Sequence, residues 1–402
     1  MESTLRDTNI LVRLWPLWLS KFAWGIFWAT WGATVPAVQL RLGLSDAQLG
    51  QQLVMVIVGV LPATFFAGRL WTMLGKFQLP LTLLIYSAGT VLLAQAHSAD
   101  GLGAALLVCG VASGMMEVTL ACMIASVQEM TGRKLFSYGQ AIFPLAVVLT
   151  APMVGWLRMS GVEAVPIFDA LAAFLFAAAI LTSFASLRFP HARRAGAAAR
   201  RQAIRIDRPL VLITVMGFFL YVLEHAINHW SALYLQRELG ASAFLASWGP
   251  SVYMGAAFVG RMTVHKLAER VSDLQVMMFG FFAAAIVMLW VSIVGNPWLA
   301  LAGYLAAGLL MSPAIPAVYS LATAVGDPER RMQSLSNIST VCNIGYVVSP
   351  LLFGTLSTAH GMQFSWRTMG VTAAACLIAL LAAQMSGMFR HRLAAVLLNQ
   401  AR

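Results

Sequence analysis

The sequence predicts an all-α integral membrane protein of twelve transmembrane helices, arranged as two related bundles of six. Three observations carry this. The 402 residues are 60% apolar and only 10% charged, more apolar surface than a water-soluble chain can cover, so lipid has to solvate much of it. Twelve apolar stretches follow one another with short polar breaks, each near the roughly 20 residues a helix needs to cross a hydrocarbon core of about 30 Å. Short signatures in the first six stretches recur in the last six at a nearly constant offset, which is how an internal duplication shows in sequence.

The first span, centred near Gly25, runs from Arg13 to Leu40. It is too long for the apolar region of a cleavable signal, so it is expected to stay. Lys21 lies about two turns inside it and either pairs with an acid on another helix or extends its four-carbon stem to the headgroups. Trp24, Trp28 and Trp31 recur at helical spacing, deeper than an interfacial belt. They either line a cavity, where aromatic faces stack on sugar rings and planar ligands, or simply pack. The second span centres near Val60 and ends at Gly68-Arg69, the third centres near Ile85, and the fourth, near Met115, carries Glu117 at mid-helix. Pro144 and Pro152 bend the fifth, near Val147. Asp169, toward the outer end of the sixth span near Ala177, is as readily structural as an external gate.

Seven arginines, from Arg188 to Arg208, then surround an alanine-rich run at 195–199 and form a basic linker. The seventh span, near Leu223, holds Glu224, with Asn228 and Ser231 one and two turns along the same face. His225 and His229 are four apart and could share a metal ion, but Ala226 stands where a His-Glu-x-x-His motif needs its base. One imidazole serving as a proton-responsive group in a cavity is the stronger expectation, with His229 the candidate. The eighth span, near Val252, holds Tyr253 and ends at Gly260-Arg261. The ninth centres near Ala285. Pro313 and Pro316 interrupt the tenth, near Ala307; the eleventh, near Gly345, holds Asn343 and Pro350; the twelfth centres near Cys376.

The net charge of +11 is an orientation signal. With the N-terminus in the cytoplasm, the external breaks carry only Arg41, Arg158, Arg237 and Arg367, and nearly all other Arg and Lys fall at cytoplasmic ends. Both termini are therefore expected in the cytoplasm and the protein in the inner membrane, with the lipid bilayer as its surroundings and a monomer favoured. Nucleic acid is excluded as a partner because the basic linker has no aromatic residue except Phe189. The four cysteines lie within apolar spans without ligand spacing, so they read as small core residues, and no metal or other cofactor is expected. No Gly-x-x-x-x-Gly-Lys-Ser/Thr run offers a nucleotide site. No nucleophile stands beside a base, which argues against an enzyme.

An ionisable group at the bilayer centre costs on the order of 2.5–3.5 kcal/mol, so each one calls for an explanation. Glu224 leads. Its stripe with Asn228 and Ser231 can coordinate a polar solute and exchange a proton, or can tie two helices together by hydrogen bonds. Glu117 is the second central acid. If Lys21 pairs with it, protonating the acid would free the ammonium for an anionic solute, a possible switch.

Three anchors define the duplication. Leu42-Gly43-Leu44-Ser45 matches Leu239-Gly240-Ala241-Ser242, Gly68-Arg69 matches Gly260-Arg261, and Ala151-Pro152 with Gly155 matches Ser349-Pro350 with Gly354. They predict a first bundle at residues 1–187, the linker at 188–208 and a second bundle at 209–402, related by an axis along the membrane normal.

This architecture resembles the major facilitator superfamily over essentially the whole chain, and in particular its bacterial YbjJ-like branch. The supporting residues are Ala29-Thr30-Trp31 with Pro36-Ala37, Leu42-Gly43-Leu44-Ser45 with Leu49-Gly50, Glu117-Val118, and Glu224 with Trp230-Ser231-Ala232-Leu233. The chain departs from that branch at His229 (usually Asp), Ala121 (usually Asn) and Gln140 (commonly His). The superfamily's loop signature after the second span survives as Gly68 and Gly75, with Thr72 in place of its Asp. His265 holds the comparable place in the second half. There Arg69 and Arg261 either gate the cytoplasmic side, pairing with carbonyls or with Glu129 and Glu329, or only anchor helix ends. The resemblance implies a secondary active transporter of a small-molecule substrate working by alternating access, with protons as coupling ion. Its proposed coupling or substrate residues are Glu224, Glu117, Asn228, His229, Trp28, Gln140, Asn343 and Tyr253. The alternative is a sensor or assembly factor that keeps the fold without transport.

Overall fold

The computed structural model describes residues 14–131, 135–185, 208–267, 271–325 and 331–388, with side chains described for most of them. Among these residues the helices are α1 (Trp15–Leu42), α2 (Asp46–Leu74), α3 (Gln78–Ala94), α4 (Ala99–Thr131), α5 (Leu135–Met159), α6 (Ala164–Ser183) and α7 (Arg208–Arg237). There follow α8 (Ala243–Leu267), α9 (Asp273–Val291), α10 (Pro297–Leu310), α11 (Ala314–Val325), α12 (Arg331–His360) and α13 (Met362–Met385). The tenth expected span is two helices, α10 and α11, because Pro313 has no amide hydrogen to continue the ladder. Pro144, Pro152 and Pro350 lie inside continuous helices.

Nine spans among the described residues are long and apolar enough to cross a membrane, counting α10 and α11 together. The helix α3 has the composition but only 17 residues. The sequences of α1 and α8 are diluted by Trp, Gly, Ser and Pro, residues that serve packing between helices better than contact with lipid.

The chain divides into two compact units, residues 1–197 with 241–251, and residues 198–240 with 252–402. Of the linker expected at 188–208, residues 188–207 lie outside the described residues and Arg208 opens α7. In the first unit α1 packs on α5 and α6, α2 on α4, and α3 on α4 and α6. In the second, α7 packs on α11 and α12, α9 on α10, α11 and α13, and α12 on α13.

Glycines set the closest helix approaches, as expected where lipid leaves no hydrophobic drive between helices and packing decides. A Cβ on Gly114 of α4 would lie 2.6 Å from the Val60 carbonyl oxygen of α2. On Gly308 of α10 it would lie 2.7 Å from the Ala256 Cβ of α8. The two units thus share a glycine-mediated seam between corresponding helices, α2 with α4 and α8 with α10.

The recurring Leu-Gly-x-Ser signature has a physical cause. Gly43 (φ 61°), directly after α1, and Gly240 (φ 66°), three residues after the end of α7, take the left-handed conformation that glycine adopts without strain. The Leu44 amide, just after Gly43, bonds back to the Gln39 carbonyl, and the Leu239 amide, just before Gly240, bonds back to that of Tyr234. Ser45 and Ser242 follow and accept the Gln48 and Leu245 amides, starting the next helices. At the same end of the first unit the Arg41 guanidinium donates to the Leu93, Ala94 and Ala96 carbonyls, closing the open end of α3. Arg158 donates to the Ala33 carbonyl, tying α5 to α1.

Candidate functional site

The second unit holds a buried ion pair. Glu224 sits at the middle of α7 with 6% of its surface exposed, and its Oε1 accepts from Arg261 Nη2 at 2.9 Å. Arg261 Nε donates to Ser312 Oγ at 2.7 Å. Ser312 lies in the break between α10 and α11, so the interruption before Pro313 is what presents its hydroxyl. That hydroxyl in turn donates to the Ala257 carbonyl at 3.4 Å.

Among the described residues, then, Glu224 has a partner on another helix, and Arg261 turns to this carboxylate rather than to a backbone carbonyl. The long Arg261 side chain reaches inward from the last third of α8, and a buried carboxylate is a stronger partner than a neutral carbonyl. Glu329 lies outside the described residues, as do the side chains of Arg69, Thr72, Glu129, Gln140 and His265.

Three of the eight tyrosines act on the pair, and a fourth bonds to one of these three. Tyr253 is fully buried and lies within electrostatic reach of Glu224 and Arg261. Tyr346 and Tyr221 also act on Arg261. The Tyr221 and Tyr319 hydroxyls bond at 2.8 Å, and the Tyr221 and Tyr346 rings pack 4.7 Å apart. His225 packs against Tyr346 at 3.5 Å between ring centres and lies 5.0 Å from the His229 ring. One turn along α7 from these groups, Asn228 Oδ1 has no hydrogen-bond partner among the described residues. The same holds for Ser231 Oγ and His225 Nδ1. The predicted stripe therefore divides into a closed ion pair and a run of polar atoms that remain open to a ligand or water. Asn343 is half-buried on α12, and none of the hydrogen bonds described at the pair involves it.

The first unit holds a different cluster. Lys21 Nζ stands 4.5 Å above the Trp24 ring centre and 6.0 Å from that of Phe143. Glu117 is exposed and acts on Lys21 electrostatically without a direct ion pair. The ammonium thus takes an option the sequence reading did not weigh, the π face three residues along its own helix. Trp24 Nε1 donates to Ser113 Oγ at 3.4 Å, and the same hydroxyl bonds Tyr86 Oη. Trp28 is half-buried and meets Phe27 edge to face at 5.3 Å. Asp169 is exposed on α6.

Ser312, Tyr221, Tyr319, Tyr346, Tyr86 and Ser113 were not singled out from the sequence. The scarcity of tyrosine in so apolar a chain was the available signal, since a hydroxyl inside a membrane span needs a partner.

Residues 213–386 match the family model of the Major Facilitator Superfamily. An uncharacterized MFS-type transporter of Yersinia pestis is 24% identical over 87% of this chain and 90% of its own length. Among solved structures, a point mutant of the nucleoside transporter NupG superposes with a TM-score of 0.75 at 14% identity, covering 94% of this chain and 100% of that one. The D-xylose-proton symporter superposes at 0.71 and 15% identity, covering 92% and 97%. The fold is that of the major facilitator transporters, and the part of the chain that matches that superfamily's own model is residues 213–386.

Proposed function

We propose that this chain is a secondary active transporter that moves a small polar solute across the bacterial inner membrane by alternating access, coupled to protons. The observation that carries the reading is the Glu224–Arg261 pair at mid-span, beside Asn228, Ser231 and His225 atoms that lack partners among the described residues. A carboxylate there needs its counter-charge, and gaining or losing a proton would release or restore the bond to Arg261. The D-xylose-proton symporter, which shares the fold, lends the coupling ion. Glu224 is the proton-coupling residue, and Asn228, His229 and Tyr253 contact the solute. Arg261 is the latch that reports the protonation state. In the first unit Lys21, Glu117 and Trp28 form a second, electrostatically looser polar group, with Gln140 as a further solute contact and Arg69 as a cytoplasmic gate, and Asn343 of the second unit is another solute contact. The division into residues 1–187 and 209–402 around a basic cytoplasmic linker, both termini in the cytoplasm, a monomeric state and the YbjJ-like branch complete this reading.

The test is solute-induced current in proteoliposomes, screened over sugars, nucleosides, organic acids and amino acids, with Glu224→Gln alongside. The expected outcome is current with a solute of the panel in the native protein. In the variant, current is lost while solute counterflow persists, because Gln keeps the shape and cannot carry the proton. Current unchanged in Glu224→Gln would remove the coupling assignment.

A further inference from the structure

In the second unit an open groove of about 600 Å³ runs between α7 and α13. Its walls are apolar: Met216 and Phe219 from α7, and Val371, Ala375 and Ala379 among those from α13. Thr368 and Thr372 also line it, yet their hydroxyls donate to the Phe364 and Thr368 carbonyls of their own helix, so polar demand there is already met. The groove carries one charge, Arg367, at the end nearer the α12–α13 turn.

Arg367 is the only charged residue of α13. It is exposed, and no ion pair or hydrogen bond to its guanidinium is found among the described residues. A cation in an apolar helix, one and a half turns from its end, is at headgroup depth. From Arg367 to Ala379 the helix advances roughly 18 Å at about 1.5 Å per residue. Half of a hydrocarbon core of about 30 Å is roughly 15 Å. The groove is therefore about one leaflet long, apolar over its length and cationic at the headgroup end.

We propose that this groove is a binding site for an anionic phospholipid of the leaflet adjoining the α12–α13 turn, with the phosphate on Arg367 and one acyl chain along α13. The occupant follows from charge and length together. A neutral apolar solute leaves the guanidinium unanswered, and a soluble anion leaves about 18 Å of apolar wall uncovered.

Native mass spectrometry of the full chain, released from micelles holding equal phosphatidylglycerol and phosphatidylcholine, tests this. The expected result is a retained phosphatidylglycerol adduct at least fivefold over the phosphatidylcholine one. Arg367→Gln should reduce that preference at least threefold, Arg367→Lys should largely restore it, and Arg237→Gln at the same end should leave it in place. Ala375→Phe, which fills the groove without touching the charge, should lower adducts of both lipids; each variant is checked for a monodisperse, helical protein first. Equal retention of the two lipids, or a preference indifferent to Arg367→Gln, would overturn the site. A dimer that appears as lipid is stripped and disappears in Arg367→Gln would assign the groove to a second copy of this chain and overturn it equally.

Discussion

Replacing either partner of the Glu224–Arg261 pair tests whether the contact is an energetic unit or two neighbours in a polar region. At 2.9 Å the Coulomb attraction is about 6 kcal/mol at an effective dielectric of 20 and about 1.4 kcal/mol in bulk water. The Glu224 side chain is 8% exposed and that of Arg261 39%, so the pair falls between these limits. The two single changes should be unequal. Arg261→Met leaves a buried carboxylate without its cation, a loss of about 3 kcal/mol that proton uptake by the acid limits. Glu224→Gln leaves an arginine already half in contact with its surroundings and still bonded to Ser312, a loss of about 1–2 kcal/mol. In the double variant neither charge is stranded, so the losses should not sum.

The expected coupling energy is about 2 kcal/mol, read from a double-mutant cycle on SDS-induced unfolding in mixed micelles and followed by tryptophan fluorescence. If the double variant loses the sum of the single losses to within about 0.5 kcal/mol, the pair carries no net interaction and the latch argument built on it fails.

Two further predictions concern the first unit, with a control substitution in the second. Gly114→Leu should separate α2 from α4 and cost about 3 kcal/mol or more in the same unfolding assay, because its Cβ alone would meet the Val60 carbonyl oxygen at 2.6 Å; Gly295→Ala, with nothing within 4 Å, should change stability by less than about 0.5 kcal/mol. Lys21→Met should cost about 1 kcal/mol through loss of the contact above Trp24 and should impair transport; adding Glu117→Gln should recover part of the transport rate, and a double variant no better than the single would show that the two groups do not act together.

The helices were legible because lipid imposes a simple rule: about 20 apolar residues make a span. The Leu-Gly-x-Ser repeat was legible because it encodes two local demands, a left-handed stop at Gly43 and Gly240 and a hydroxyl cap at Ser45 and Ser242. The importance of Glu224 was legible from the cost of a carboxylate at mid-span. Its partner was not, since Arg261 lies 37 residues away in another helix and which helices adjoin is a tertiary fact. Ser312 was hidden for a related reason. Pro313 announces a break in the tenth span, but that the break faces Arg261 follows only from the packing of α8 against α10. Lys21 was read against distant acids, whereas the structure answers its charge with Trp24, three residues along the same helix, a pairing that helical spacing alone could have supplied.

The two units keep the same scaffold and diverge in their charges. Gly43 and Gly240 are 197 positions apart (240 − 43). The same offset carries Lys21 onto Phe218 and Glu224 back onto Phe27, so neither central charge has a charged counterpart. The repeat therefore specifies stops, caps, glycine seams and the arginine at 69 and 261, whereas Glu224 and Lys21 are the residues that break it. Opposite charges held at 2.9 Å cost more to part than an ammonium 4.5 Å above a ring centre, whose attraction is about 0.5–2 kcal/mol. If transport requires both clusters to rearrange, the larger local electrostatic barrier belongs to the second unit. Protonation of Glu224 is the step suited to lowering it, whereas Lys21 can leave its ring without any change of charge.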